Sequence, residues 1–503
     1  MPLLILLLFP LLGALWLASR PGIDTRGAGR LALAFSLLAT GWACSLAGSG
    51  EWSLAWIPDA GMHLRFSVNG ISWLFLVLTG LVGSFAIAAS LRDDRFGRAY
   101  FALILVMQAA LFGVFTARHF IPWFLCWEMT LIPSYLLIRL WGGTGAARAA
   151  LRFFIMTLGG SAFMLVGFLA LQLSAGSMDF NELAKLAANR ELAASLAATF
   201  GGSGLSGETL LTLVALAVFL GLAVKLPVVP FHAWLPAAYA EAPTPVTMLL
   251  TGLLSKMAVY GLLVVFLPVF PEVLPSLAPL LSWLAVATVL LGAFAALAQT
   301  DLKRMLAYSS VNHLGYCALA IAAAAAAGGN RDALSSALSG TVLQGFNHGI
   351  IAATLFFGVA VLENRSGGKR GLNQFGGLRA NMPVFCGVFG VAVFASLGLP
   401  GLSGFVGEFL IFNGVFALAP TAAVLAIPGL LLTAVFLLRM MRKVFHGPLS
   451  PGTAKWPDLS RGERCLFGIA VLLMVAYGVN PDLLLRFANP GIIEILDLLR
   501  PLP

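Results

Sequence analysis

Long apolar runs separated by short polar turns fill this chain. Fourteen stand out, at about 2–18, 29–48, 70–91, 99–116, 119–140, 153–174, 208–239, 245–268, 276–298, 305–327, 339–362, 382–416, 421–440 and 465–481. Apolar runs of about 17–25 residues match helices that cross a bilayer. The ten-residue alternating segments of an outer-membrane barrel are absent. The pattern predicts an all-α polytopic membrane protein with about 14 transmembrane helices. The first run has no basic stretch ahead of it and Arg20 behind it. It suits a first span better than a cleaved signal peptide.

The seventh and twelfth runs are long and interrupted. One reads VKLPVVPFHAWLPAAYAEAPTP, with Pro227, Pro230 and Pro236; the other reads SLGLPGLSGFVGEF, with Pro400 and Gly401. Proline removes a helix hydrogen bond and bends the axis. In a membrane the freed carbonyls need protein or water as partners. Broken helices at matching places in two halves point to inverted repeats with an ion site at the breaks. Glu128 and Lys225 are 97 residues apart, and His313 and Glu408 are 95 apart. The offset is five spans, an odd number, so the second unit is inverted. The predicted division is 1–98 for spans one to three, 99–268 for a first repeat of spans four to eight, 276–445 for a second repeat of spans nine to thirteen, and 446–503 for an inner loop, span fourteen and a tail.

Four charges sit deep inside these runs: Glu128, Lys225, Lys256 and Glu408. A charge at the bilayer centre costs at least about 2.5–3.5 kcal/mol, so it marks a functional site by default. Lys225 stands just before the first break, and Glu128 is its natural partner. Lys256 has about a dozen mostly apolar residues on either side, too many for snorkelling. Glu408 follows the second break and suits a terminal proton site. His313 and His348 are mid-span imidazoles with Ser309, Asn312, Gln344 and Asn347 near them in sequence. Gln344 and His348 share a helix face, and histidine exchanges protons near neutral pH. Together these residues predict a proton path. A structural ion pair or satisfied buried histidines are the plainer alternatives. Asp301, Lys303 and Arg304 read as boundary caps and anchors, and His232 and Trp234 as residues that shape the first break.

Composition agrees. The 503 residues are 60% hydrophobic and 10% charged, with mean hydropathy +0.95; a soluble domain is about 25% charged. The net charge of +9 is topological. Of 30 Lys and Arg, 21 lie on or beside the loops after odd-numbered spans, seven on the opposite side, and two within the membrane. This positive-inside signal places both termini outside and excludes nucleic acid as the reason for the charge. Five cysteines lie far apart without a CxxC, so neither cluster nor zinc ligation is suggested. The outer stretch 175–207 predicts a surface helix capped by Asp179 or Asn181, with Leu183, Leu186, Leu192 and Leu196 on one side. The loop 363–379 reads as a plain connector, and the tail after Asn489 as an interfacial helix.

Over residues 65–445 the chain resembles the antiporter-like membrane subunits of respiratory complex I. The carriers are WEMTLIPSYLLI, KLPVVPFHAWLPAAYAEAPTP, LLSKMAVYGLL, DLKRMLAYSSVNHLGY, QGFNHGIIAATLFF and LPGLSGFVGEF, in this order. Asn69 in FSVNGISW stands where the family pattern has aspartate. The resemblance implies two inverted five-helix repeats and redox-driven proton pumping in a large complex. It implies no cofactor or metal in this chain, with flavin and iron–sulfur clusters in partner subunits. It also implies a quinone used by the complex but not bound here, and other membrane subunits, antiporter-like ones included, as partners in the lipid bilayer. The membrane would be a bacterial inner membrane, or a thylakoid in a photosynthetic source. Two rivals stay open: a subunit of a multi-subunit sodium/proton antiporter, and a spacer in a membrane hydrogenase or related complex.

Overall fold

The computed structural model describes residues 2–57, 62–326 and 330–499. Arg500 and the last residue of the predicted tenth span lie outside them. Every predicted span meets a helix or a broken pair of helices. Eleven helices among the described residues are long and apolar enough to cross a membrane. The other three spans are Thr25–Ser45, the polar tenth helix Leu302–Ala326, and the split twelfth, Pro383–Ser396 with Ser403–Leu418. Large apolar side chains such as Ile155, Val166, Leu173 and Trp283 stay exposed on the periphery, as a lipid-facing surface requires.

Side-chain caps set several helix starts. The Asn69 amide oxygen accepts from the Ser72 N–H at 2.9 Å, and Asp179 accepts from the N–H groups of Asn181 and Glu182. Ser460 and Glu463 form a reciprocal capping box at the fourteenth span. The stretch after Asp179 forms two short helices rather than one, Phe180–Ala188 and Glu191–Phe200. Leu183, Leu192 and Leu196 are buried there and Leu186 is half-buried. The tail helix starts earlier than Asn489, at Asp482. The connector 363–379 contains a tight turn, Leu372–Gln374, and a second, Leu378–Ala380, follows at its end. A two-stranded antiparallel hairpin, Trp52–Ile57 with Met62–Phe66, is an exception to the all-helical pattern.

The repeat shows in which spans touch. Four packs on five, five on six, six on seven, seven on eight, and four on eight. Nine to thirteen repeat each of these pairs: nine on ten, ten on eleven, eleven on twelve, twelve on thirteen, and nine on thirteen. The eighth span, Thr244–Val269, also packs against the tenth and eleventh. It therefore lies on the seam between the two units. The fifth span, read from sequence as unbroken, is interrupted at Thr130, two residues after Glu128.

Candidate functional site

Lys256 is fully buried in the eighth span. That span contains two wide π-type turns, Leu250–Leu254 and Leu262–Phe266, on either side of the α-helical stretch Ser255–Gly261. Such turns displace backbone hydrogen bonds and cluster at functional sites. The Thr251 carbonyl accepts from Lys256 Nζ at 2.5 Å. Lys256 Nζ also lies 2.8 Å from His348 Nδ1 and 3.4 Å from Ser255 Oγ. An ammonium has no acceptor, so a charged Lys256 requires an unprotonated Nδ1. A proton can pass directly along this contact.

The line continues into the second unit. The rings of His348 and His313 stand 5.5 Å apart between centroids. A cavity of about 10 Å³ touches both rings together with Ser309, Ser310 and Ser396, close to the space one water needs. Ser396 Oγ is 3.2 Å from His313 Nε2. His313 Nδ1 is 3.0 Å from the Glu408 carboxylate, which also accepts from Gln344 Nε2 at 3.4 Å. The order in space is Lys256, His348, His313, Glu408, so His348 precedes His313, the reverse of their order in the chain.

The second break brings Glu408 there. Residues 397–402 leave the helix, with Gly398 at φ +71° and Gly401 at φ +90°, conformations that glycine adopts without strain. A β-carbon on Gly404 would meet the Ala395 carbonyl oxygen at 1.9 Å, and one on Gly407 would meet the Gln344 backbone nitrogen at 2.8 Å. The bare backbones let the half-helix press onto the first half of its own span at Gly404 and onto the eleventh span at Gly407. Asn347 Nδ2 donates to the Ser403 carbonyl at 2.8 Å, which ties the start of the second half-helix to the eleventh span.

Lys225 ends the first half-helix, Gly207–Lys225, and is buried. Its ammonium faces the rings of Trp127 at 5.5 Å and Phe153 at 5.8 Å, a cation–π arrangement. Trp234 Nε1 donates to the Val224 carbonyl at 2.8 Å across the break. The expected direct pairing with Glu128 is corrected. Among the described residues no ion pair within 4.0 Å joins Glu128 to Lys225. Glu128 is half-buried, and the aromatic Trp127 beside it supplies the contact. Nor does a hydrogen bond link Lys225 to Lys256 among the described residues. About a turn away from the two lysines, Gly261 of the eighth span packs on Leu222 and Trp123.

Several polar groups carry no clear sequence signal. Ser396 lies in an apolar half-helix. Lys303, read as a boundary anchor, is buried and donates to the Ala242 carbonyl at 2.5 Å. Asp301 does cap, accepting from the Arg304 N–H at 3.0 Å. Arg118, one of the seven basic residues counted on the side opposite the basic face, is buried. A cleft of about 1270 Å³ opens on the face that carries most of the basic residues, lined by Asp93, Glu241, Lys303, Glu363, Arg370 and Asp458 among others. Thr244, also in its lining, donates to Glu363. Burial pushes the Asp93 carboxyl up, but hydrogen bonds from Arg95 outweigh this and hold it below its ordinary value. Among the described residues no group of three His, Cys, Asp or Glu is placed to hold a metal ion.

The family described as NADH:quinone oxidoreductase/Mrp antiporter, TM matches residues 117–434. NAD(P)H-quinone oxidoreductase chain 4 1 of Synechococcus sp. (strain JA-3-3Ab) is 38% identical over 441 residues, covering 85% of this chain and 78% of that protein. NADH-quinone oxidoreductase subunit M of Rickettsia conorii is 32% identical over 444 residues, covering 88% and 85%. A chain in the structure of respiratory complex I from Thermus thermophilus with bound NADH superposes with TM-score 0.85 at 28% identity, covering 100% of both chains.

Proposed function

The chain belongs to the NADH:quinone oxidoreductase/Mrp antiporter transmembrane family, and from that membership we propose that it is a proton-translocating membrane subunit of a complex I-type quinone oxidoreductase. The observation that carries this reading is the buried line Lys256–His348–His313–Glu408, with two direct contacts at 2.8 and 3.0 Å and space for about one water between the imidazoles.

In this reading a proton comes in from the basic face, through the cleft at Glu363 and Lys303, and loads Lys256. It moves to His348, across to His313, and leaves by Glu408. Lys225 and Glu128 form the control element. Their contact is electrostatic, so a charge arriving beside half-buried Glu128 shifts the field on Lys225 and then on Lys256 without a proton passing between the lysines. Moving one charge across the membrane is worth about 2.3 kcal/mol per 100 mV. Charge interactions in a poorly screened interior are of comparable size. The repeat 99–268 supplies Lys256, and the repeat 276–445 supplies His348, His313 and Glu408. The redox chemistry, with its flavin, iron–sulfur clusters and quinone, belongs to partner subunits. The membrane is a bacterial inner membrane, or a thylakoid in a photosynthetic source, with both termini outside.

The test is proton pumping by the purified, reconstituted complex carrying Lys225→Ala or Glu408→Ala. Both lower the protons moved per electron if the reading holds; an unchanged ratio in both ends it. The family's Mrp branch makes sodium/proton antiport the second reading. Redox subunits that co-purify with the chain support the first, and their absence supports the second.

A further inference from the structure

Arg118 is a buried cation that the proposed path does not use. It lies in the turn between the fourth and fifth spans and is 5% exposed. Among the described residues its guanidinium donates only to hydroxyl groups: Nε to Ser67 Oγ at 2.6 Å, Nη1 to Tyr260 OH at 3.0 Å and Nη2 to Ser72 Oγ at 2.9 Å. Ser72 and Tyr260 are themselves 3.0 Å apart. No carboxylate lies within 4.0 Å of the guanidinium among the described residues. The local acids serve another arginine. Arg65, which is more exposed, takes Asp179 at 2.7 Å and both oxygens of Glu51. A buried charge without a counter-charge is expensive, and proteins ordinarily pair it. Here the acids pair directly with the outer arginine, and the inner one is held by hydroxyl groups.

The position gives that charge a use. Tyr260 lies four residues beyond Lys256 on the same α-helical stretch, one turn further from the basic face. Tyr260 also closes a buried aromatic group with Phe75 and Phe115, whose ring centroids lie 5.2 to 6.1 Å apart. The straight way out from Lys256 through the first unit thus meets an aromatic plug backed by a fixed positive charge. The other way leads to His348 at 2.8 Å.

We propose that Arg118, held on Tyr260, Ser67 and Ser72, is an electrostatic stopper that closes the first unit's direct route between Lys256 and the face opposite the basic one, and so directs the proton sideways to His348. It is a positioning residue: it carries no proton. The inference rests on the proton-path reading given above.

The experiment uses the whole complex in liposomes without redox substrates. An imposed pH difference, with valinomycin and potassium clamping the potential, drives passive proton flux, normalised to assembled complex. Arg118→Met is expected to raise that flux about tenfold, the factor for removing a unit charge roughly 10 Å away at an effective dielectric near 20. Arg118→Lys, which keeps the charge, stays tight. Adding Lys256→Met to Arg118→Met abolishes the leak. If Arg118→Met does not assemble, Arg118→Gln keeps donors while dropping the charge and gives the same reading. A charge-free variant as tight as the parent overturns the proposal. So does a leak that survives loss of Lys256. Intact pumping in the single variant Lys256→Met sinks the path itself, a result separate from either.

Discussion

Lys256 Nζ lies 2.8 Å from His348 Nδ1, and this contact joins the two five-helix units. It depends on the wide turn before Lys256, which leaves the Thr251 carbonyl to hold the ammonium. His348 is then both the lysine's partner and the first group of the second unit. Replacing it with leucine leaves a buried ammonium short of an acceptor, a loss of about 1–3 kcal/mol. His348→Leu is expected to stop pumping and lower the melting temperature of the complex. His348→Gln, which retains an acceptor, restores stability but not pumping. Thermal melts and proton-to-electron ratios of the two variants separate these effects.

Glycine spacing holds Glu408 in reach of His313. A side chain at Gly407 meets the backbone of Gln344, while one at Gly387 meets nothing within 4 Å. Gly407→Val should cost about 1–3 kcal/mol through overpacking and reduce pumping by pushing Glu408 off His313. Gly387→Ala should be neutral in both respects. Detergent-solubilised melting curves check the first effect and pumping assays the second.

Glu128 forms no ion pair with Lys225 among the described residues, so any effect on it acts through space. Neutralising it removes a field, not a hydrogen bond. Glu128→Gln is therefore expected to leave assembly intact and to weaken coupling less than Lys225→Met does. Equal or greater loss in Glu128→Gln, measured as protons per electron in the same vesicles, contradicts this ranking.

Asp93 gives the basic-face turn an acid-sensitive contact. Burial opposes its charge, but Arg95 holds the carboxyl below the ordinary value of 3.8. The unfolded chain then binds more protons than the folded one between the two values, so stability rises with pH there. The contribution is present above pH 3.8 and is lost as pH falls through the lower, folded value. Asp93→Asn should narrow the difference in stability between neutral and strongly acidic solution. Urea melts of parent and variant across that range read it out.

Much of this was legible in the chain because a bilayer enforces simple rules. Charges such as Lys256 and Glu408 stand out against apolar runs, and Pro227 and Gly401 mark breaks that backbone hydrogen bonding would otherwise forbid. What could not be read depends on which helices meet. His348 precedes His313 in space because the eighth span packs on the eleventh. Ser396 becomes polar lining only once the broken helix turns it to His313. Arg118 looked like a loop residue because its burial comes from Ser72 and Tyr260, distant in sequence. The hairpin at Trp52–Phe66 is too short to show a period against its apolar neighbours. The Glu128–Lys225 pairing was inferred from charge alone, while the ammonium in fact faces the rings of Trp127 and Phe153.

The central claim is that protons cross by way of Lys256 and leave by way of Glu408. The most direct test is the number of protons moved per electron by the reconstituted complex, compared between the parent, Lys256→Met and Glu408→Gln at equal amounts of assembled enzyme. The account predicts a lower ratio in both variants, by the same amount, because either change interrupts one path. A ratio equal to the parent's in either variant would contradict it.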